Sequence, residues 1–208
     1  IIQVASSMLP VMALDVQPDE KVLDLAAAPG GKTTHMAALM KNTGVIFAND
    51  MNRMRISAVM GNCHRMGVTN CVITCMDGRK YPNYMRTCFD RALIDAPCSG
   101  TGVISKDGTV KTNRNENDIK RLYNLQRQLL VAAIDTVNAK SERGGYIVYS
   151  TCSVLVEENE WVVDYALKVR NVKLVETGLS FGTDGFVNFG SHRFHPSLRL
   201  TKRFYPQT

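Results

Sequence analysis

Short apolar runs alternate along this chain with longer segments in which apolar residues recur every three or four positions. The runs predict five strands, which lie within KVLDLA, VIFAND, NCVITCMD, FDRALIDA and GGYIVYST. The segments between them, such as KTTHMAALMK and RMRISAVMGNCHRMG, have the spacing of helices. Before the last run, a long amphipathic helix is predicted from the apolar positions Ile119, Leu122, Leu125, Leu129, Ala133, Ile134 and Val137. Strands that alternate with helices indicate right-handed crossovers and an α/β fold on a doubly wound, mostly parallel sheet.

The rest of the chain extends this pattern and bounds its size. VEENEWVVDYALKV predicts one more helix, and VKLVET predicts one more strand. The 208 residues, 45% hydrophobic and 21% charged, are typical of one globular domain, residues 1–208, because no linker or repeat interrupts them. No apolar run is long enough to cross a bilayer, and the first residues lack the features of a signal peptide. We therefore expect a soluble intracellular monomer with no membrane partner.

The charge of the chain favours an anionic partner. The net charge is +6 and the pI is about 9.1, and basic residues cluster in predicted loops, which is compatible with RNA binding. We expect four of them to hold RNA phosphates without reading sequence: Lys111, Arg114, Arg199 and Arg203. Each of these residues taken alone is equally well explained as a solvated surface charge.

The six cysteines do not form the spacing of a metal site or a disulfide framework. No CxxC pair and no repeating spacing occur among them, which argues against a zinc ribbon and against a disulfide framework. We expect no metal centre. We interpret four as small buried apolar residues, the usual environment of a free cysteine: Cys63, Cys71, Cys75 and Cys88. Cys98 and Cys152 remain as candidates for chemistry.

The stretch VLDLAAAPGGKTTH places a glycine turn between the first predicted strand and the first long helix. A Walker loop requires glycine at the position of Ala26, and a dinucleotide fingerprint requires G-x-G-x-x-G, so neither phosphate-binding motif is present. Asp50 and Asp77 end the next two predicted strands, where carboxylates can receive ribose hydroxyls and an adenine amino group. This layout is typical of S-adenosylmethionine sites in Rossmann-like methyltransferases. The alternative is that both aspartates cap the following helix or turn.

Cysteines follow the last two predicted strands, in LIDAPCSG and YSTCS. If these strands are neighbours, Cys98 and Cys152 lie on adjacent loops, where a base can touch both thiols. Carbon C5 of cytosine becomes nucleophilic only after a thiolate adds to C6, and a second group must then assist removal of the C5 proton and of the thiol. Asp95 is placed to hydrogen-bond the N3 and N4 edge of the base. The start of the helix after Cys152 is a candidate activator of that thiol, partly opposed by Glu157 and Glu158.

These motifs resemble a known family. DLAAAPGGKT, FANDMN, MDGR, LIDAPCSGTG and YSTCSVLVEENE are similar, in the same order, to the motifs of the Nol/Nop/Sun family of RNA cytosine-5 methyltransferases. The resemblance implies a Rossmann-like fold, S-adenosylmethionine as cofactor, Cys152 as nucleophile and Cys98 as the group that assists release. It also implies that the cofactor or reaction centre contacts Ala26, Ala27, Ala28, Pro29, Gly30, Gly31, Lys32, Asp50, Asp77 and Asp95.

The resemblance extends to substrate and cell biology. GVISKDGTVKTN and RFHPSLRLTKRFYPQT are similar to the nucleolar protein branch that acts on large-subunit ribosomal RNA. It implies location in the nucleolus and nucleus, contact with ribosome-assembly factors, and a catalytic domain that lacks the family's upstream RNA-binding region and terminal strand. A second hypothesis is an RNA-binding assembly scaffold that keeps the fold without needing catalysis. The joint presence of Asp50, Asp77, Asp95, Cys98 and Cys152 favours the enzyme.

Overall fold

The computed structural model describes residues 5–103 and 116–205. They form two compact units, one from residues up to 95 and 132–149, the other from residues 96–131 and from 150 onward. The α-helices are α1 Leu9–Leu14, α2 Gly31–Leu39, α3 Arg53–Arg65, α4 Glu116–Thr136 and α5 Glu160–Val169. The longer strands are β1 Lys21–Asp24, β2 Val45–Asn49, β3 Cys71–Thr74, β4 Arg91–Asp95 and β5 Tyr146–Ser150. These are the five strands that the apolar runs predict.

Shorter elements complete the described chain. The two-residue strands are β6 Thr183–Asp184, β7 Asn188–Phe189, β8 His192–Arg193 and β9 Lys202–Arg203. Short 3₁₀ helices span Ala5–Ser7, Gly78–Asn83, Thr101–Val103 and Pro196–Leu200. None of the helices in the described part of the chain combines the length and apolar character needed to cross a membrane.

The main sheet has the strand order β3-β2-β1-β4-β5. Strand β1 pairs in parallel with β2 and with β4, and β2 pairs in parallel with β3. The chain moves from β1 towards one edge and later resumes at β4 on the other side of β1, so the strand order reverses between β1 and β4. In open α/β sheets this switch point, at the carboxyl ends of the strands, is where ligands bind. The fold is the predicted α/β arrangement on a doubly wound, mostly parallel sheet.

Apolar side chains from helices and central strands form the core of the first unit. One cluster joins α1 and α2 to β1, β2 and β4, and it consists of Val11, Leu14, Val16, Val22, Met36, Ala37, Met40, Ile46 and Leu93. The middles of the central strands are apolar, at Val22 and Leu23 in β1 and at Ala92–Ile94 in β4, and β4 is buried over Arg91–Ile94. This continuous burial is expected of a parallel strand whose two faces are both covered.

The predicted strand in VKLVET is wrong. Residues 172–177 carry no ladder hydrogen bonds, and Val175 is 48% exposed. The alternation of apolar and polar residues is present, but the two antiparallel pairs described in this unit are β6 with β9 and β7 with β8. A two-residue period predicts a strand only where a partner strand is available, and the sequence pattern does not contain that information.

A buried ion pair joins the amino ends of the two central strands. Arg91 donates from Nε to Glu20 at 2.8 and 3.0 Å and from NH1 to the Leu14 carbonyl at 2.6 Å. Glu20 is 4% exposed and Arg91 is 5% exposed. Each charge therefore depends on the other for its solvation.

Replacing Arg91 with methionine should lower the free energy of unfolding by about 3 to 5 kcal/mol, because the Glu20 carboxylate would be left buried and unpaired. Chemical denaturation of the folded chain measures the change. Lys21→Met, at an exposed neighbouring position, serves as the control and should change stability by less than about 0.5 kcal/mol. The double variant Glu20→Met with Arg91→Met should recover much of the loss, and an Arg91→Met effect equal to the control would contradict this account.

Candidate functional site

The glycine turn after β1 is held in a fixed conformation by its own backbone. The Ala27 N–H donates to the Asn49 carbonyl at 2.7 Å, and the Gly30 N–H donates to the Ala27 carbonyl at 2.7 Å. Gly30 has φ of 99°, and a Cβ atom there would lie 3.1 Å from the Cα of Val59. Only glycine combines that left-handed conformation with so close an approach to α3. The turn can therefore present its backbone to a ligand.

The amino end of α2 is free of capping side chains. Gly30 is the N-cap residue, it supplies no side-chain hydrogen bond, and the first turn of α2 contains no acidic residue. The first N–H groups of a helix lie outside the helical ladder and attract anionic groups. Two residues of α3 bind the turn: Arg55 donates to the Ala28 carbonyl at 2.8 Å, and Asn62 donates to the Pro29 carbonyl at 2.7 Å. Sequence reasoning missed these two residues of α3.

Asn49, the last residue of β2, ties three strand ends together and was also missed. Its Nδ2 donates to the carbonyls of Leu25 at 3.1 Å and Met76 at 3.0 Å. Its Oδ1 accepts from Thr74 Oγ1 and from the Met76 N–H, each at 3.1 Å. The side chain is 1% exposed, and its donors and acceptor lone pairs are all used. This amide fixes the carboxyl ends of β1, β2 and β3 relative to one another.

Asp50 and Asp77 lie at this edge, and both also make the capping contacts named as the alternative. Asp50, directly after β2 and 5% exposed, accepts from the Asn52 N–H at 2.8 Å. Asp77 lies beyond the end of β3, which stops at Thr74, and accepts from the Arg79 N–H at 3.0 Å. Hydrogen bonds from Arg79 hold the pKa of Asp77 below its ordinary value. Both oxygens of Asp77 also accept from the Arg79 guanidinium, at 2.6 to 3.1 Å, so a ligand would have to share or displace that contact. Asp50 Oδ2 lies 3.4 Å from Arg55 NH1, a longer contact that leaves this oxygen more acceptor capacity.

Lys32 and Asp95 meet at the point where the strand order reverses. Asp95 is the last residue of β4, and its Oδ2 lies 2.6 Å from the Nζ of Lys32, in the first turn of α2. The side chains are 17% and 35% exposed, so the pair remains partly accessible to solvent. A cation and an acceptor are thus fixed beside each other at the carboxyl end of the central strands.

Cys98 and Cys152 are brought together in the second unit. Their Sγ atoms lie 2.9 Å apart, and no disulfide bond joins them. Hydrogen bonding to Cys152, together with burial, raises the pKa of the Cys98 thiol well above its ordinary value. Either thiol can be the donor of this contact. Cys152 is the more exposed of the two.

The loop that carries Cys152 is braced by neighbouring backbone and hydroxyl groups. The Gly102 N–H donates to the Cys152 carbonyl at 2.9 Å, and a Cβ atom on Gly102 would lie only 2.7 Å from that oxygen. Asn159 accepts from Thr151 Oγ1 at 2.8 Å and donates to the Ser153 carbonyl at 3.0 Å. In the sequence, Gly102 after PCSGT is the residue that points to this contact. Only the structure shows why a glycine is needed there, because the Cys152 carbonyl leaves no room for a Cβ atom.

A comparison with known families decides the classification. The family profile described as "16S rRNA methyltransferase RsmB/F" matches residues 11–208. The chain belongs to this RsmB/F family. Among curated relatives, a human 28S rRNA (cytosine(4447)-C(5))-methyltransferase is 64% identical over 208 residues, 100% of this chain and 26% of the relative. The Schizosaccharomyces pombe 25S rRNA (cytosine-C(5))-methyltransferase nop2 is 61% identical over 207 residues, 99% of this chain and 34% of the relative.

Solved structures from Pyrococcus horikoshii share the family fold. A methyltransferase homologue superposes with a TM-score of 0.85 at 38% identity, covering 100% of this chain and 63% of that one. NSun6, solved with SFG, gives a TM-score of 0.80 at 36% identity, covering 96% of this chain and 50% of that one. The chain spans about a quarter to a third of the length of the human and S. pombe relatives.

The family assignment and the fold predicted from the motifs are confirmed. The structure places Ala26 to Lys32, Asp50 and Asp95 at the carboxyl ends of β1, β2 and β4, and it places Cys98 beside Cys152. Their roles towards ligands stay predictions, as does the organisation as a single domain. Among the described residues, no group of three or more His, Cys, Asp or Glu side chains is arranged to hold a metal ion.

Three smaller expectations are wrong. Helix α5 begins only at Glu160 because residues before it form turns, so it does not follow Cys152 closely enough to activate its thiol as expected. Cys75 and Cys88 are exposed rather than buried. Cys75 lies just after the end of β3, and Cys88 lies in the connection before β4. Cys63 is buried and Cys71 half-buried, in keeping with the apolar interpretation.

The predicted RNA-binding residues fall into three groups. Lys111 and Arg114 lie outside the described residues. Arg199 is exposed, so its contact with RNA stays a prediction. Arg203 is corrected: it is 9% exposed and its guanidinium is engaged by Glu160, with Nε 2.7 Å from Oε1 and a further contact from NH2 to Oε2. A charge buried in an ion pair is not available to phosphates, so Arg203 is structural.

Asp24, at the end of β1, titrates in an unusual range. Burial raises its pKa from the ordinary value of 3.8 to about 7, against the opposing hydrogen bond from Thr33 Oγ1 at 2.7 Å. The side chain is 1% exposed, and its Oδ1 has no hydrogen-bond partner. In the folded protein, the Asp24 carboxyl therefore keeps its proton at pH values at which the unfolded chain has lost it.

This shift predicts a pH dependence of stability. Because the folded pKa lies above the unfolded one, the free energy of unfolding should fall as the pH rises from about 4 to about 7, by an amount on the order of 3 kcal/mol. Asp24→Asn removes the titrating group, so the difference between wild type and variant should change across that window. Denaturation at about pH 5 and about pH 8 measures it. Asp15→Asn, at an exposed position, is the control, and parallel pH profiles for wild type and Asp24→Asn would contradict the assignment.

Proposed function

We propose that this chain is the catalytic part of an enzyme that transfers a methyl group from S-adenosylmethionine to C5 of a cytosine in large-subunit ribosomal RNA. The observation that carries the proposal is the pair Cys98 and Cys152, whose sulfur atoms lie 2.9 Å apart with one acting as donor and the other as acceptor. Methylation at C5 requires one thiol to attack and a second group to assist release. A scaffold that only binds RNA has no use for this arrangement.

The residues at the sheet edge fit S-adenosylmethionine. The uncapped amino end of α2 suits the carboxylate of its methionine part, and the buried Asp50 carboxylate suits the two ribose hydroxyls. Gly30 keeps the turn open between them. When bound, the cofactor supplies an electrophilic methyl group. The carboxylates and backbone N–H groups of this edge bind and orient it, and Asp77 stays a candidate contact for its adenine amino group.

In the proposed reaction Cys152 provides the nucleophile. Its thiolate forms a bond from Sγ to C6 of the cytosine, and the C5–C6 double bond opens so that C5 can accept the methyl group. A base then removes the C5 proton, the C5–C6 double bond returns, and the bond between C6 and sulfur breaks. Each bond formed to the enzyme is thus broken again, and Cys152 leaves as a thiolate.

The geometry supports Cys98 as the partner in the second half of this sequence. The hydrogen bond to Cys152 is the largest cause of the raised Cys98 pKa. Once the Cys152 sulfur is bonded to C6, that sulfur no longer accepts the hydrogen bond as a thiolate would, so this cause is removed and the pKa of Cys98 falls. Cys98 can then lose its own proton to solvent, and the resulting thiolate can accept the proton from C5 as the C6–sulfur bond breaks.

Asp95 and Lys32 are the groups of the first unit that we propose bind the edge of the base. A cytosine offers an acceptor at N3 and a donor at N4, and the ion pair offers an acceptor in Asp95 Oδ2 and a donor in Lys32 Nζ. A hydrogen bond from Lys32 to N3 would withdraw electron density from the ring, while Asp95 would accept from N4 and orient it. Asp95 is followed after two residues by Cys98 in the sequence, so recognition of the base and its release depend on one short segment.

The choice of large-subunit ribosomal RNA rests on the relatives. The human and S. pombe proteins that are 64% and 61% identical to this chain carry names that specify 28S and 25S rRNA. The net charge of +6 suits an RNA partner, and Arg199 remains a candidate phosphate contact. Action on ribosomal RNA precursors implies location in the nucleolus and contact with assembly factors. A target cytosine must be single-stranded or flipped out to reach Cys152.

Calorimetric titration with S-adenosylmethionine tests the cofactor site. We expect the chain to bind the cofactor and Asp50→Ala to weaken binding by about tenfold or more, because a buried acceptor for the ribose would be lost. Asp90→Ala, at a half-buried aspartate on the opposite end of the strands, is the control. Absence of binding to a folded full-length protein would favour the scaffold hypothesis.

Covalent trapping tests the chemistry. Cys98→Ala should accumulate a denaturant-resistant adduct between Cys152 and RNA, because attack remains possible while release is slowed. Cys152→Ala should form no adduct and should lower kcat by at least about a thousandfold, as expected for loss of a nucleophile. Gel mobility under denaturing conditions and transfer of a labelled methyl group measure the two effects. Cys88→Ala, at an exposed cysteine of the first unit, is the control, and unchanged turnover in Cys152→Ala would refute the mechanism.

A further inference from the structure

Glu158 is a fully buried carboxylate next to the segment that carries Cys98. Its exposure is 0%. Oε1 accepts the Ser99 N–H at 2.9 Å and Gln126 Nε2 at 3.0 Å, and Oε2 accepts the Ser99 hydroxyl at 2.5 Å. A carboxylate removed from water is costly unless hydrogen bonds replace its solvation. The hydrogen bonds that replace the solvation of Glu158 also fix the positions of the groups that donate them.

The geometry that Glu158 fixes is that of the Pro97–Ser99 segment. Ser99 follows Cys98 and is bound to Glu158 through both its backbone and its side chain. Pro97 precedes Cys98, and its carbonyl accepts from Gln126 Nε2 at 2.8 Å, the same nitrogen that donates to Glu158. Both neighbours of Cys98 in the sequence are therefore tied to one carboxylate, directly or through Gln126.

The same group reaches the Cys152 loop by one further hydrogen bond. The Ser99 hydroxyl lies 3.3 Å from the hydroxyl of Ser153, the residue after Cys152. The Cys152 loop also has supports that do not involve Glu158, from Gly102 and Asn159. Loss of the Glu158 carboxylate should consequently displace Cys98 more than Cys152.

We propose that Glu158 is a positioning residue for the release step: it holds Cys98 against Cys152 through Ser99 and Gln126. This inference rests on the proposed function, because it assigns Cys98 to release and Cys152 to attack. It makes a distinctive prediction, since a variant that displaces only Cys98 should resemble Cys98→Ala. General damage to the fold would instead reduce attack as well as release.

The test compares Glu158→Ala with Cys98→Ala in the full-length protein carrying this chain, under reducing conditions. We expect Glu158→Ala to accumulate the denaturant-resistant adduct and to lower kcat by about tenfold or more, with little change in the KM for RNA or in the affinity for S-adenosylmethionine. Glu158→Gln should restore most of the turnover, since its amide oxygen can replace Oε1 and its amide nitrogen can donate to the Ser99 hydroxyl. Glu157→Ala, which removes the neighbouring and more exposed carboxylate, should behave like wild type.

Two kinds of result overturn the inference. Wild-type turnover in Glu158→Ala shows that the carboxylate positions nothing needed for release. Joint loss of adduct and of cofactor binding, without rescue by Glu158→Gln, shows a structural role only. If Glu158→Ala fails to fold, Ser99→Ala decides, because it removes only the hydroxyl contact: adduct accumulation supports the inference, and its absence overturns it. Failure of the proposed function is distinct, since wild type would then methylate no RNA and Cys98→Ala would trap no adduct.

Discussion

The side chain of Asn49 is the interaction on which the geometry of the sheet edge depends. Parallel strands meet at their carboxyl ends, and there the backbone leaves the ladder with carbonyl and N–H groups that need partners. Asn49 supplies them for Leu25 and Met76 while it is itself 1% exposed. The glycine turn begins directly after Leu25, and Asp50 directly follows Asn49. One buried amide thus determines where both parts of the cofactor edge lie.

The second unit uses the same principle with a charged group. There a buried carboxylate, Glu158, organises the segment around Cys98, whereas hydroxyl and amide groups organise the loop around Cys152. Two thiols of identical intrinsic chemistry become different because their surroundings differ. Cys98 has a raised pKa and is partly covered, and Cys152 is exposed. In the proposed mechanism, the division between attack and release originates in these surroundings rather than in the cysteines themselves.

Sequence patterns predicted the parts of the fold that depend on local periodicity. All five strands of the main sheet were found, because an apolar run bounded by turn residues records both faces of a buried parallel strand. The strand in VKLVET was wrong and Arg203 was misplaced, because each depends on a partner distant in the sequence. Glu158 was noticed only as a charge beside a helix. Its three donors come from residues that are 32 to 59 positions away, and no local pattern reveals them.

The ion pair between Arg203 and Glu160 bears on how much of the chain the proposed activity requires. Arg203 lies in β9, near the last described residue, and its NH1 also donates to the Val154 carbonyl at 2.9 Å, two residues beyond Cys152. The end of the described chain therefore supports the loop that carries Cys152, the proposed nucleophile. A proteolytic cut before β9 would remove this support from the Cys152 loop and leave the residues of the proposed cofactor site in the chain. Cofactor binding and thiol chemistry, as proposed, thus differ in how much of the polypeptide each requires.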